Sequence, residues 1–189
     1  MSNLIKWFSA VAGLIAILIL VALVRSPIDP KIWEPPKNPG FTDGFAPNTD
    51  LASMLLLEVP GHGPEDVSCT EDGSMITGLE DGRIVRMTLD GRSETLGDTR
   101  GRPVGLQAMP DGSVIIADAL KGLLRLQPDG SVEVLANEFE GRPILFADDL
   151  DISSDGVVWF SDASQRFSID GFMLDLLEAS RTGRLMSYN

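Results

Sequence analysis

The residues best suited to chemistry are acidic and fall in two tight clusters, Glu65-Asp66 and Asp148-Asp149-Asp151. Carboxylates grouped in this way serve as hard oxygen ligands for a cation, or as bases that take a proton from an attacking water. Several other chemistries are excluded. The chain has one His, His62, and one Cys, Cys69, so a zinc site with two or more histidines, a Cys-rich site and an internal disulfide are all impossible. Ser161 and Ser164 have no partnered base in view, and no Gly-rich phosphate loop of the P-loop or dinucleotide type occurs. Any metal must be held by oxygen. The plainer reading of the same residues is a set of solvated acidic turns, with Asp149 and Asp151 accepting backbone hydrogen bonds at a strand start. His62, in Gly61-His62-Gly63-Pro64, reads as a turn residue rather than a base, Lys121 as a solvated cation, and Cys69 as a small buried hydrophobe.

The elements that must position these clusters are short strands in a repeat. Three Asp-Gly pairs, Asp72-Gly73, Asp111-Gly112 and Asp155-Gly156, stand 39 and 44 residues apart, each followed by a β-rich run: 74–79, 113–118 and 157–162. Asp-Gly supplies the positive φ that a tight turn between strands needs. Asp118 and Asp162 end corresponding runs, where aspartates bond to turn amides. A second, glycine-led strand follows in each repeat, at 82–88, 122–127 and 183–188. Two repeats turn again at Asp90-Gly91 and Asp129-Gly130 into outer strands such as 132–135. Four short strands in a period near 40 residues predict propeller blades. A parallel α/β sheet would need a helix between every pair of strands, yet only 170–180 could be helical, and it reads as an insertion in the third repeat. Trp159 and Phe160 fit a buried blade strand. In such an arrangement the acidic clusters precede the inner strands of different blades and converge on the channel axis, where like charges repel unless a cation neutralises them.

The expected fold is therefore all-β, of propeller type, with about three blades between residues 49 and 189. Complete propellers have about 4 to 8 blades, so an arc of three leaves strand edges and blade faces exposed. This predicts either a truncated chain or closure by something else, including self-association with another copy.

Several stretches resemble the strictosidine synthase-like branch of the calcium propellers. They are Gly63-Pro64-Glu65-Asp66, the run 101–106 (GRPVGL), the run 116–123 (IADALKGL), Phe146-Ala147-Asp148-Asp149-Leu150-Asp151-Ile152, and Trp159-Phe160-Ser161-Asp162-Ala163-Ser164. Within that superfamily, which includes gluconolactonase-like (SMP-30-like) lactonases and paraoxonase-like arylesterases, the chain resembles the membrane-anchored, adipocyte plasma membrane-associated protein type. The resemblance implies a six-bladed propeller, present here as its N-terminal half, with Ca2+ at the mouth of the central channel. It implies Glu65 and Asp148 as metal ligands, Asp148 standing where the family usually has Asn, with further ligands from later blades beyond Asn189. Calcium accepts the change to Asp because it takes hard oxygens, but the added charge alters affinity and electrophilicity. The implied activity is calcium-dependent hydrolysis of a small-molecule ester or lactone, with Asp66 or Asp149 as the catalytic base. Pictet-Spengler chemistry is the weaker expectation, since the glutamate it would use belongs to a late blade. The alternative of another class is a non-catalytic, membrane-tethered binding or assembly module, or an inactive fragment.

Residues 7–24 run eighteen positions without a charge between Lys6 and Arg25. At about 1.5 Å per residue that suffices for a bilayer core of about 30 Å, and Leu23-Val24-Arg25 makes a poor cleavage site for a signal peptide. The expected organisation is an anchor at 1–26, a stalk at 27–48 containing Pro27, Pro30, Pro35, Pro36, Pro39 and Pro47, and the partial propeller at 49–189. Cations flank both ends of the anchor, so charge does not set its orientation. The family resemblance implies a cytoplasmic N-terminus and an extracytoplasmic propeller. The net charge is -13 over 15 basic and 28 acidic residues; beyond the anchor it is -15, because Lys6 and Arg25 are the only charges before residue 27. So acidic a domain excludes nucleic acid as a partner and disfavours contact with anionic lipid.

Overall fold

A computed structural model describes residues 2–189. The chain opens with helix α1 (Ser2–Val24), whose apolar side chains are exposed all round. Its 23 residues extend about 34 Å at about 1.5 Å each. Residues 25–66 are largely irregular, apart from a 3-10 turn at Asp43–Phe45.

Three antiparallel sheets follow. The first is β1 (Val67–Cys69), β2 (Met75–Gly78), β3 (Arg83–Met87) and β4 (Ser93–Asp98), and the second is β5 (Pro103–Ala108), β6 (Val114–Asp118), β7 (Gly122–Leu126) and β8 (Val132–Ala136). A two-residue-wide hairpin, β9 (Glu138–Phe139) with β10 (Arg142–Pro143), leads to the third sheet of β11 (Ala147–Ile152), β12 (Val158–Asp162) and β13 (Arg184–Tyr188). Strands pair in chain order, as propeller blades do. The turns form as the sequence requires: Gly73, Gly112 and Gly156 have φ of 80°, 83° and 87°. The Asp72 and Asp111 carboxylates accept the N–H groups of Ser74 and Ser113, each at 3.0 Å. Between β12 and β13 the insertion folds as a 3-10 turn (Ile169–Gly171) and helix α2 (Phe172–Glu178), closed by Ala179 in the left-handed region.

Side-chain alternation on β6 explains how the blades stack. Val114 and Ile116 join Ile76, Ile84 and Leu106 in one core, while Ile115 and Ala117 join Ile144, Leu150, Val158 and Phe160 in the other. The middle blade is thus buried on both faces, and β6 reads as an unbroken apolar run for that reason. Two sequence expectations change. Cys69 is exposed, because β1 alternates and only its central residue Ser68 is buried. Phe160 is buried as expected, but Trp159 keeps 45% of its surface accessible, since it points to the opposite face of β12.

Candidate functional site

The strand registers place the acidic clusters at equivalent positions. Cys69 faces Met75, Ala108 faces Val114 and Ile152 faces Val158. Counting back from those pairs makes Glu65, Val104 and Asp148 one equivalent set, and Asp66, Gly105 and Asp149 another. The ladders of β5 and β11 both shift register here, between Pro103 and Gly105 and between Ala147 and Leu150. A bulge redirects side chains at the head of a strand, and on β11 the redirected residues are Asp148 and Asp149.

The structure brings Glu65 and Asp148 into one electrostatic neighbourhood. Burial, then the nearby carboxylates of Asp148, Asp66 and Asp149, push the Glu65 carboxyl up from its ordinary value, while the Arg102 guanidinium works the other way. Asp148 is pushed up by burial and by the adjacent Asp149. Glu65 lies at the exposed rim and Asp148 is half-buried, and neighbouring carboxyls that resist ionisation are the charge pattern a cation relieves.

Asp66 and Asp149 differ in what they hold. Asp66 Oδ1 accepts its neighbour Val67 N–H at 2.7 Å, and Oδ2 accepts the Leu106 N–H of the next blade at 2.8 Å. Ser68 Oγ repeats the tie one step on, accepting the Ala108 N–H at 2.9 Å. Asp149 Oδ1 accepts the Leu150 N–H at 2.8 Å, and its own N–H donates to Ser161 Oγ at 3.1 Å. Its Oδ2 makes no hydrogen bond among the described residues. Gly105 lets the inner strands approach: a Cβ there would lie 2.7 Å from the Asp148 carbonyl oxygen and 2.8 Å from Asp149 Cα. Asp151 stays exposed on β11 and, among the described residues, accepts only the Ile152 N–H, at 2.8 Å.

The supporting residues come from strand ends. Asp118 and Asp162 are fully buried, and each accepts the amide entering its own blade, Arg102 N–H and Phe146 N–H, both at 3.0 Å. Asp162 is also paired with Arg184 at 2.6 Å. Sequence reasoning missed Arg102, which donates to the Gly63 carbonyl at 2.8 Å and so fixes the loop carrying Glu65. Its place in Gly101-Arg102-Pro103 gave no chemical signal. His62 is exposed and contributes its backbone carbonyl to Glu80 N–H at 2.9 Å.

For a calcium ion, the donor set at Glu65 and Asp148 has the right chemistry, since carboxylate oxygen is what calcium selects. The number is short. Calcium takes about six to eight oxygens, and among the described residues no three His, Cys, Asp or Glu side chains form a group that could hold a metal ion.

Two family models cover the two acidic clusters. "Strictosidine synthase-like, N-terminal" matches residues 43–87, and "Strictosidine synthase" matches residues 148–189. The chain belongs to the strictosidine synthase-like family. Within that family it is 32% identical to the mouse adipocyte plasma membrane-associated protein, over 95% of this chain and 48% of the relative. It is 37% identical to the Arabidopsis thaliana protein strictosidine synthase-like 6, over 80% of this chain and 42% of the relative. This strictosidine synthase-like chain thus spans about half the length of the curated relatives it matches. Among solved structures it is similar to a gluconolactonase from Xanthomonas campestris, with a TM-score of 0.50 and 20% identity over 55% of this chain and 36% of that one. That likeness speaks for the propeller fold alone.

Proposed function

We propose that these blades belong to a membrane-anchored, calcium-dependent hydrolase of small esters or lactones, with Glu65 and Asp148 as two of the metal ligands. The observation that carries the reading is the pair of carboxyls from the first and third blades, both held above their ordinary values by burial and by neighbouring carboxylates. A cation held there by Glu65 and Asp148 would supply Lewis-acid polarisation of the substrate carbonyl. Of the two candidate bases, Asp149 is the better placed, because its Oδ2 is open to a water while both Asp66 oxygens are committed to backbone amides. The water's proton passes to Asp149 Oδ2, while the Leu150 N–H holds the other carboxylate oxygen and Ser161 Oγ holds the Asp149 backbone N–H. The full activity is proposed for a complete propeller that contains this half.

The test is turnover of phenyl acetate by the purified protein. Calcium-dependent turnover, lost with chelator and with Glu65→Ala, supports the reading; metal-independent turnover, or none at any calcium concentration in a protein of full relative length, rejects it.

We further infer that α1 spans a membrane. It is long and apolar enough to do so, with a mean hydropathy of 2.7 over Leu4–Val24, and the animal relatives are named as plasma membrane-associated. The orientation proposed, with the N-terminus cytoplasmic and the blades extracytoplasmic, follows the family resemblance. Protease protection of residues 49–189 in sealed vesicles tests it.

One observation favours a second reading, a non-catalytic tethered module. Asp149 repeats the pose of Asp66, so in a longer propeller its Oδ2 stands where Asp66 receives the next blade's amide. A carboxylate used in that way is no longer a base. Capture of a partner protein, or of a second copy on the exposed edges, without metal dependence and without turnover decides for this reading.

A further inference from the structure

Helix α2 is amphipathic in the reverse sense for a surface helix. Its acidic residues turn inward: Asp175 accepts the hydroxyls of Ser164 at 2.6 Å and Ser180 at 2.5 Å, and Glu178, only 7% exposed, pairs with Arg166 at 2.7 Å. Its large apolar residues turn outward, with Phe172, Met173, Leu176 and Leu177 between 46% and 67% exposed. Water is a poor partner for four adjoining apolar side chains, and exposed patches of this kind mark protein or membrane contacts.

The rest of the structure says which. The segment that leaves the anchor is fastened to this helix. The Pro27 carbonyl accepts from Arg166 Nη2 at 3.3 Å, Asp29 N–H donates to Glu178 Oε1 at 3.1 Å, and Lys31 N–H donates to the Leu177 carbonyl at 3.1 Å. The last of these satisfies a carbonyl that the end of a helix leaves open. Pro27 is three residues past the end of α1, a reach of at most about 10 Å. That distance is comparable to the headgroup layer, which adds about 5–8 Å on each side of the hydrocarbon. Ile32 and Trp33, 98% and 74% exposed, follow directly, and Trp is at home in that interface.

We propose that α2 rests on the bilayer surface, with Phe172, Met173, Leu176 and Leu177 in the boundary between headgroups and acyl chains, so that the third blade docks on the membrane beside the anchor. The proposal rests on the reading of α1 as a membrane span. The lipid it fits is zwitterionic: Lys31 and Arg166 are spent on Asp29 and Glu178, and a domain of charge -15 gains nothing from an anionic surface.

The full chain in phosphatidylcholine vesicles provides the test. In a Cys69→Ser background, single nitroxide labels are placed at Leu14→Cys in the anchor, Leu177→Cys on α2 and Asp90→Cys in the exposed turn between β3 and β4. Collision rates with oxygen, which concentrates in lipid, and with a water-soluble nickel chelate are then compared. The expected result is a Leu177 oxygen-to-nickel ratio at least about threefold above that of Asp90, with Leu14 higher still. A lipid-immersed Leu14 beside a Leu177 that matches Asp90 overturns the docking and leaves the anchor intact. A water-exposed Leu14 overturns the anchor, and the docking with it.

Discussion

Asp66 Oδ2 accepts the Leu106 N–H at 2.8 Å, a bond between residues 40 positions apart that stitches the first blade to the inner strand of the second. Without that oxygen the amide on the open edge of β5 loses its partner. Asp66→Ala is expected to cost about 1–3 kcal/mol in urea unfolding. Asp66→Asn keeps an acceptor and should cost less than half as much. If both variants unfold like the parent, the carboxylate is not a tie.

The pH dependence of stability separates Asp148 from the many aspartates in turns. Its carboxyl, like that of Glu65, is held above its ordinary value by burial and like charge. In the interval between the ordinary and the raised value, the folded state keeps a proton that the unfolded state has lost. The stabilisation is therefore full at low pH and disappears as pH rises through the raised value. Asp72, held down to about 2 by bonds from Thr70 and Ser74, has the opposite sign. In chelator, Asp148→Asn should melt about 2 °C higher than the parent near pH 7, with the gap closing toward pH 4. Melting curves of both proteins across that range give the answer.

Calcium should reverse the order. If Glu65 and Asp148 share an ion, calcium at about ten times its Kd stabilises the parent by about 1.4 kcal/mol. Glu65→Ala should lose most of that gain. Differential scanning calorimetry with calcium, with magnesium and with chelator measures it. An equal gain in Glu65→Ala would place the ion elsewhere.

Gly105→Ala probes the contact between the second and third blades. The added methyl group would meet the Asp148 carbonyl at 2.7 Å and Asp149 Cα at 2.8 Å, both backbone atoms that cannot swing aside. The expected cost is about 1–3 kcal/mol. Gly73→Ala, at an open turn with φ of 80° and nothing within 4 Å, should also destabilise, but without moving Asp148. A Glu65 and Asp148 titration by NMR distinguishes the two, because only Gly105→Ala shifts it.

Arg166→Ala should release the stalk. It removes the partner of buried Glu178 and the donor to the Pro27 carbonyl. Because Arg166 is itself half exposed, the loss in global stability should be about 1 kcal/mol rather than the full value of a buried pair. Limited proteolysis between Ser26 and Lys37 should accelerate several-fold, and an unchanged rate would mean the stalk is held by other contacts.

What the sequence determined by itself was local. Asp-Gly pairs fix their turns through φ and through the aspartate side chain, and the β-rich runs that follow them mark the strands, so the strands at 75–78, 114–118 and 158–162 and the helix within 170–180 were legible from neighbours a few residues apart. The acidic clusters were legible too, as residue types at repeated positions. Tertiary structure alone decided what those carboxylates do, because the deciding partners lie far away in the chain. Asp66 became a tie because the β5 amides needed acceptors. Asp148 and Asp149 lie against the second blade because Gly105 lets the inner strands approach, Glu65 feels their charge from the first blade, and Arg102 fixes the Glu65 loop through the Gly63 carbonyl. The reversed face of α2 was likewise hidden, since FMLDLLE reads as an ordinary amphipathic helix until Arg166, Ser164 and Ser180 draw its acids inward. Local geometry is written in adjacent residues, whereas the free energy of a carboxylate depends on the burial and charge that only packing brings to it.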